Sequence, residues 1–473
     1  MEKSNQKKYM RGFLPYALAA FLVGTIGGLS TVLGPAFMLD MNLAYNNTTW
    51  TALAQAISTA ACAPILGKLG DIFGRRKTLL LGVFLFSLGN LFSALAGSLF
   101  FMLVARFIVG IGTAAIAPTV MSHIITEFPP EQVAKGFSIY MLISSAAVIF
   151  GPTIGGLILQ ASGWRTLMWV STIICVIFFL LCYFTHSKQV VTPKPLRNFD
   201  KAGAFFVIAF FSLLLCVPSF GQNFGWLSAE FLPILVLTLI AFLGLVITEK
   251  KAKNPILIGH FMARNAFVLS VIILFLTQGL MQANMTNTIV FVNYTQPDNS
   301  VISGYAISIM YLGMSLGSIL LGPLADRFEP KRILTISLLL TGIGCGLMLL
   351  FSPTTSVFSL AASLGILGLG LGSNSTVFMK IVLSDLPAET AGSGTGIYGL
   401  FRDLAAPFGV AVFVPMFTNE ITRLTAHSTT TITAASAAVE AIHMLAVIEL
   451  VCIGIGICIV QLLPKIHEKG EKL

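Results

Sequence analysis

Charge is what this sequence has least of. Only 10% of its 473 residues are Asp, Glu, Lys or Arg, while 56% are hydrophobic; a water-soluble domain carries about a quarter charged residues. That shortage excludes a soluble globular enzyme. No His/Cys group has the spacing of metal ligands. A G-x-x-x-x-G-K-[ST] phosphate loop is also missing, which argues against a pump driven by nucleotide hydrolysis. The cysteines are odd in number, and Cys62, Cys175, Cys182, Cys216, Cys345, Cys452 and Cys458 all fall inside apolar runs. They read as small apolar residues rather than disulfide partners.

What the sequence has instead is a succession of apolar runs, each of about 18 to 24 residues and long enough to cross a hydrocarbon core about 30 Å thick as a helix. About fourteen lie between Phe13 and Leu463, the first at about 13–37 and the fifth at about 136–159. The net charge of +9 follows the same layout. With a cytoplasmic N-terminus, all 17 lysines fall on the cytoplasmic side, Arg165 and Arg423 lie outside, and Arg106 and Arg402 lie within spans. This positive-inside bias predicts an even number of spans with both termini in the cytoplasm. The basic excess therefore reports topology and not a nucleic-acid partner.

Two stretches look like copies of one another. Gly67-Lys-Leu-Gly-Asp71-Ile-Phe-Gly74-Arg75-Arg76-Lys77 and Gly322-Pro-Leu-Ala-Asp326-Arg327-Phe-Glu-Pro-Lys331-Arg332 each place an acid four residues after a glycine and a basic cluster beyond it. The expected fold is an all-α polytopic membrane protein: a six-helix bundle over 1–185, a cytoplasmic linker with two additional transmembrane helices over 186–265, and a second six-helix bundle over 266–473. The second bundle carries an outer loop at about 417–440.

The Gly67 to Lys77 string resembles the loop signature of the major facilitator superfamily. Arg106-Phe-Ile-Val-Gly110-Ile-Gly112 resembles its fourth-span motif, and Gly151, Pro152, Gly155 and Gly156 in the fifth span resemble its antiporter motif. Thr126-Glu-Phe-Pro-Pro-Glu-Gln, the triplet Gly163-Trp164-Arg165, and Arg402 followed by Gly409-Val-Ala look like the fourteen-span drug:proton antiporter family. The chain departs from that family at Leu29, where an acid is usual, and at Gln55, where a tyrosine is usual.

The motifs have physical readings. Asp71 is placed to accept from the N-terminus of a neighbouring helix and from Arg75 or Arg76, forming a latch that exists in one conformation and breaks in another; Asp326 with Arg327 repeats it. Arg106 lies deep enough in its span to face a cavity or to reach the outer surface. Gly151, Pro152, Gly155 and Gly156 permit close helix approach and a bend. Proton coupling needs a carboxylate deep among apolar helices, and only Asp403 and Glu449 qualify. The resemblance puts the helix of Asp403 beside a central cavity and that of Glu449 outside it, where a pair with His443 is an alternative. Arg402 and Asp403 are about 100° apart on a helix, so one is expected to face the cavity squarely. Gln55, Gln278, Gln282, Asn284, Asn287 and Asn374 form either a neutral wall around an organic substrate or hydrogen bonds between helices.

The resemblance implies a transporter of the bacterial cell (inner) membrane that exchanges protons for amphipathic organic compounds by alternating access. It needs no cofactor beyond a proton gradient and acts as a monomer on a small-molecule substrate within the lipid bilayer. An exporter of an endogenous metabolite, organic anion or lipid is the alternative, and a non-transporting sensor the weakest reading.

Overall fold

The computed structural model describes residues 2–30, 45–129, 132–185, 200–225, 228–252, 254–257, 259–262, 264–296, 301–383, 390–427 and 433–463. Their long elements are all helices: α1 (Glu2–Ser30), α2 (Tyr45–Phe73), α3 (Arg75–Ala94), α4 (Leu99–Glu127), α5 (Val133–Thr185), α6 (Lys201–Phe224), α7 (Phe231–Lys251), α8 (Asn265–Thr295), α9 (Val301–Leu321), α10 (Pro330–Leu347), α11 (Val357–Leu383), α12 (Ala391–His427) and α13 (Ala434–Leu462). α5 holds two helical segments, separated where Gly163 leaves the helical region at φ 79° and ψ 172°.

Twelve stretches of the described residues are long and apolar enough to cross a membrane, where fourteen are expected from the sequence. The two others fall at 13–37 and 136–159, and there the described residues hold the shorter apolar helices Gly12–Ile26 and Val133–Ser144. The side chains of residues 27–49 and of most of 145–160 lie outside the described residues, as does the stretch 186–199 of the expected linker. The outer loop expected at about 417–440 is mostly helix, because α12 runs on through His427 and α13 begins at Ala434. Its hydroxyls serve the helix rather than a loop: Thr418 donates to the carbonyl of Val414 at 3.1 Å, and Thr422 to that of Thr418 at 3.0 Å.

The chain forms two compact units. The first comprises Met1–Pro130, Ala146–Met262 and Asp385–Asp403; the second comprises Glu131–Ser145, Ala263–Ser384 and Leu404–Leu473. α5 and α12 therefore change unit along their length. In the first unit α2, α3 and α4 pack closely; the α6–α7 hairpin joins α2 through an edge contact of Phe220 with Trp50 and meets α12 through one of Phe211 with Phe401. Leu232, Leu235, Val236, Leu239 and Ile240 of α7 stay exposed, an apolar face that suits lipid and not water. Lys68 ties the segment after α7 to α2, its Nζ donating to the carbonyls of Asn254 and Pro255 at 2.5 and 2.6 Å.

In the second unit α9 and α11 approach along a small-residue seam in which a Cβ on Gly313 or Gly368 would strike the facing backbone. Leu334, Leu338, Leu364, Leu367, Ile442 and Leu445 fill the space between α10, α11 and α13. Several buried hydroxyls in each unit return to their own helix, as Ser87 does to Val83 at 2.7 Å and Ser337 to Ile333 at 2.8 Å, which accommodates them inside apolar spans.

Candidate functional site

The two repeated acids each cap a helix N-terminus. α12 begins at Ala391, and Asp71 Oδ1 accepts from Gly392 N–H while Oδ2 accepts from the N–H and hydroxyl of Ser393, all at 2.8 Å. A carboxylate here satisfies amides that have no intrahelical partner and meets the positive end of the helix dipole. The approach depends on glycine: a Cβ on Gly67 would collide with the Gly392 carbonyl. Gly74 ends α2 and starts α3 at φ 93°, a backbone region costly to any residue with a Cβ. Arg75 Nε donates to Ser122 Oγ at 2.9 Å and its Nη1 lies 3.7 Å from Glu127, while Arg76 is half-buried in the first turn of α3.

Asp326 repeats the arrangement in the second unit. It accepts from the N–H groups of Ala134 and Lys135, at 3.3 and 3.1 Å, in the first turn of α5. Its cationic partner is Lys380 at 2.7 Å rather than the expected Arg327, which is exposed. Sequence adjacency is misleading there: Asp326 closes a 3-10 turn, Gly322–Asp326, and Lys380 reaches it from the last turn of α11, also donating to Ala325 O at 2.7 Å. Asp71 thus caps α12, and Asp326 caps α5.

A small cleft lies in the first unit between α2, α4 and α12, lined by Thr59, Thr113, Thr395, Pro118, Arg402 and Asp403 among others. Arg402 and Asp403 both line it, although neighbouring positions on a helix diverge by about 100°; the long guanidinium folds back so that its Nε donates to Asp403 Oδ1 at 2.8 Å. The pair is less than a quarter exposed, at 23% and 22%. Gln55 lies one turn along α2 from Thr59 and is half-buried.

Arg106 does not reach the surface. It is 3% exposed inside α4, with Nη2 against Met168 Sδ at 3.7 Å, and it is not among the residues lining the cleft. One turn on, Gly110 packs against Ser58 and the Gln55 carbonyl of α2.

The remaining polar residues lie in the second unit. Gln278 donates to Ser375 Oγ at 3.2 Å, joining α8 to α11, and Asn284 Nδ2 donates to Glu449 Oε1 at 2.9 Å, joining α8 to α13. His443, the partner considered for Glu449, lies 3.1 Å from the Phe351 carbonyl instead. Gln282 is half-buried. Asn287 and Asn374 are buried, with no hydrogen-bond partner for either amide atom among the described residues. Gly151, Pro152, Gly155 and Gly156 sit within the helical backbone of α5, but what surrounds them lies outside the described residues. Sequence reasoning missed Ser393, Lys380, Thr395 and Cys345. Only Lys380 carries a signal, as a lone cation closing an apolar run.

Twelve apolar crossing helices, a charged cleft and buried polar links between helices define a multi-pass helical membrane protein. The sequence profile of the Major Facilitator Superfamily matches residues 16–410, and the chain belongs to that superfamily, whose members are transporters and not enzymes. It is 24% identical over 381 residues to "Multidrug resistance protein 3" of Bacillus subtilis, covering 80% of this chain and 74% of that one. It is also 24% identical over 407 residues to "Riboflavin transporter RibZ" of Clostridioides difficile, covering 86% and 87%. The fold is similar to that of the human organic anion transporter MFSD10, with a TM-score of 0.65 and 13% identity over 94% of this chain and 99% of the other.

Proposed function

We propose that the chain exports amphipathic organic compounds in exchange for protons by alternating access, with two six-helix repeats and the α6–α7 pair giving fourteen spans. The observation that carries this reading is the exchange of caps: Asp71 on Gly392 and Ser393, Asp326 on Ala134 and Lys135. These bonds join carboxylates to amides that solvent could equally satisfy, so they can form and break at modest cost and bias a two-state equilibrium. The α6–α7 pair belongs outside the repeats, since α7 keeps an apolar face for lipid. The lysine distribution supports cytoplasmic termini, and the bacterial relatives support placement in a bacterial inner membrane.

Proteoliposomes with the purified protein test it. Substrate movement should drive proton movement in the opposite direction, and an imposed pH gradient should accelerate export. Cargo that moves at the same rate after all ion gradients are collapsed refutes the coupling.

A dedicated exporter of an anionic or zwitterionic metabolite is the second reading. It is favoured by one observation: the cleft's acid is already matched by Arg402, which leaves no excess negative charge there for an organic cation. A deletion strain with unaltered sensitivity to toxic compounds supports this reading over the first.

A further inference from the structure

The second unit contains a buried acid for which the cleft and the caps have no use. Glu449 is 0% exposed and Asn284 is 1% exposed. One hydrogen bond joins them, from Asn284 Nδ2 to Glu449 Oε1 at 2.9 Å. The other two atoms of the facing groups, Glu449 Oε2 and Asn284 Oδ1, are both buried and have no hydrogen-bond partner among the described residues. Both are acceptors, and two acceptors cannot bond without a hydrogen between them.

We propose that Glu449 and Asn284 form a proton-binding site, in which a hydrogen carried on Glu449 Oε2 is donated to Asn284 Oδ1. A carboxylic acid and a primary amide make a two-bond ring of this kind, the amide donating to one carboxyl oxygen and the hydroxyl donating to the amide oxygen. The first bond is present. One proton supplies the second and satisfies both unpartnered oxygens at once.

The surroundings favour this occupant. Among the described residues, no Lys, Arg or His nitrogen lies within ion-pairing distance of Glu449. The groups facing it from the packed helices are neutral: Asn284 from α8, the Cys345 thiol from α10 and Cys452 from its own helix, with Met348 to Leu350 beyond. His443, two turns back, is engaged with Phe351. An ionised carboxylate here would be an uncompensated buried charge. A hard metal ion wants about six oxygen ligands, and this pair offers two. An amide at position 449 would close the ring permanently, whereas a carboxyl closes it only while loaded, so the α8–α13 contact reports whether the proton is bound. As the carrier of the coupling proton the site rests on the antiport reading above; as a proton-binding site it does not.

The test is infrared difference spectroscopy of the full-length protein in liposomes across a pH titration. The C=O stretch of a protonated carboxyl should be present at neutral pH, lost in Glu449→Gln, and displaced to the frequency of a free acid in Asn284→Leu. Should Glu449→Gln fail to fold, Glu449→Asp is expected to displace the band without removing it. A wild-type protein with no band at neutral pH, or a band indifferent to all three substitutions, overturns the proposal. So does a band abolished by exchanging choline chloride for sodium chloride, which assigns the site to a metal cation. Failure of substrate to drive proton flux, with the band intact, would remove the antiport reading and leave the site standing.

Discussion

A single oxygen of Asp71, Oδ2, accepts two hydrogen bonds from Ser393, one from its backbone N–H and one from its hydroxyl, each at 2.8 Å. Hydrogen bonds to a charged group contribute about 1.5 to 3 kcal/mol each, and the carboxylate also sits at the positive end of α12. Ser393→Ala removes one of the three bonds, so it should lower stability by no more than about 3 kcal/mol and leave transport measurable. Asp71→Ala removes all three together with the charge and should abolish transport. Thermal unfolding in detergent, read beside proteoliposome flux, checks the order; equal losses for both variants would mean the cap does not depend on the carboxylate.

Asp326 is a different case because its removal strands a cation. Its side chain is 7% exposed and that of Lys380 16%. Removing one member of a buried pair costs about 3 to 5 kcal/mol, whereas replacing both with apolar groups is often neutral. Asp326→Leu should therefore destabilise strongly, and adding Lys380→Met should recover most of the loss without restoring transport, since the caps on Ala134 and Lys135 stay broken. Denaturation midpoints of the two single variants and the double variant decide this. A double variant no more stable than Asp326→Leu would show that the ion pair is not the source of the loss.

Arg106 separates structural from functional demand. Its side chain is 3% exposed, with Nη2 3.7 Å from Met168 Sδ, and a charge held that deep in an apolar span is costly enough to mark a functional demand. Arg106→Met, which removes the charge from an unbranched side chain, is thus expected to lose transport while still yielding a folded protein by thermal unfolding in detergent. If the variant transports normally, Arg106 is a packing residue.

Much of this arrangement was legible in the sequence. Where a signal is carried by composition or by repetition, as in the apolar runs and the Asp71 and Asp326 copies, chemistry alone points to a membrane bundle with two equivalent acids, because no other structure buries such runs in lipid. Partners set by three-dimensional placement were not legible. Lys380 is 54 residues from Asp326 and Ser393 is 322 from Asp71, and no local pattern links them. Glu449 was visible as a deep acid, but its bond to Asn284 depends on how α13 faces α8. The outer end of α12 misled for a physical reason: threonines favour loops by composition, yet inside a helix they satisfy themselves on the preceding turn.

The Arg402–Asp403 pair ties the charge preference of the cleft to a single carboxylate. At 2.8 Å in a partly closed cleft, the two groups neutralise one another, so any ligand charge must compete with one of them. Two unit charges about 4 Å apart near a protein surface interact by roughly 4 kcal/mol, enough for that competition to dominate binding. Removing the charge of Asp403 frees Arg402 for an anion and takes away the carboxylate that a cation would need. Asp403→Asn should therefore strengthen binding of an anionic ligand by about tenfold, or 1.4 kcal/mol, and weaken binding of a cationic one. Equilibrium binding to the purified native protein and the variant, with one anionic and one cationic ligand, gives the answer. Equal changes for both ligands would place the substrate somewhere other than this cleft.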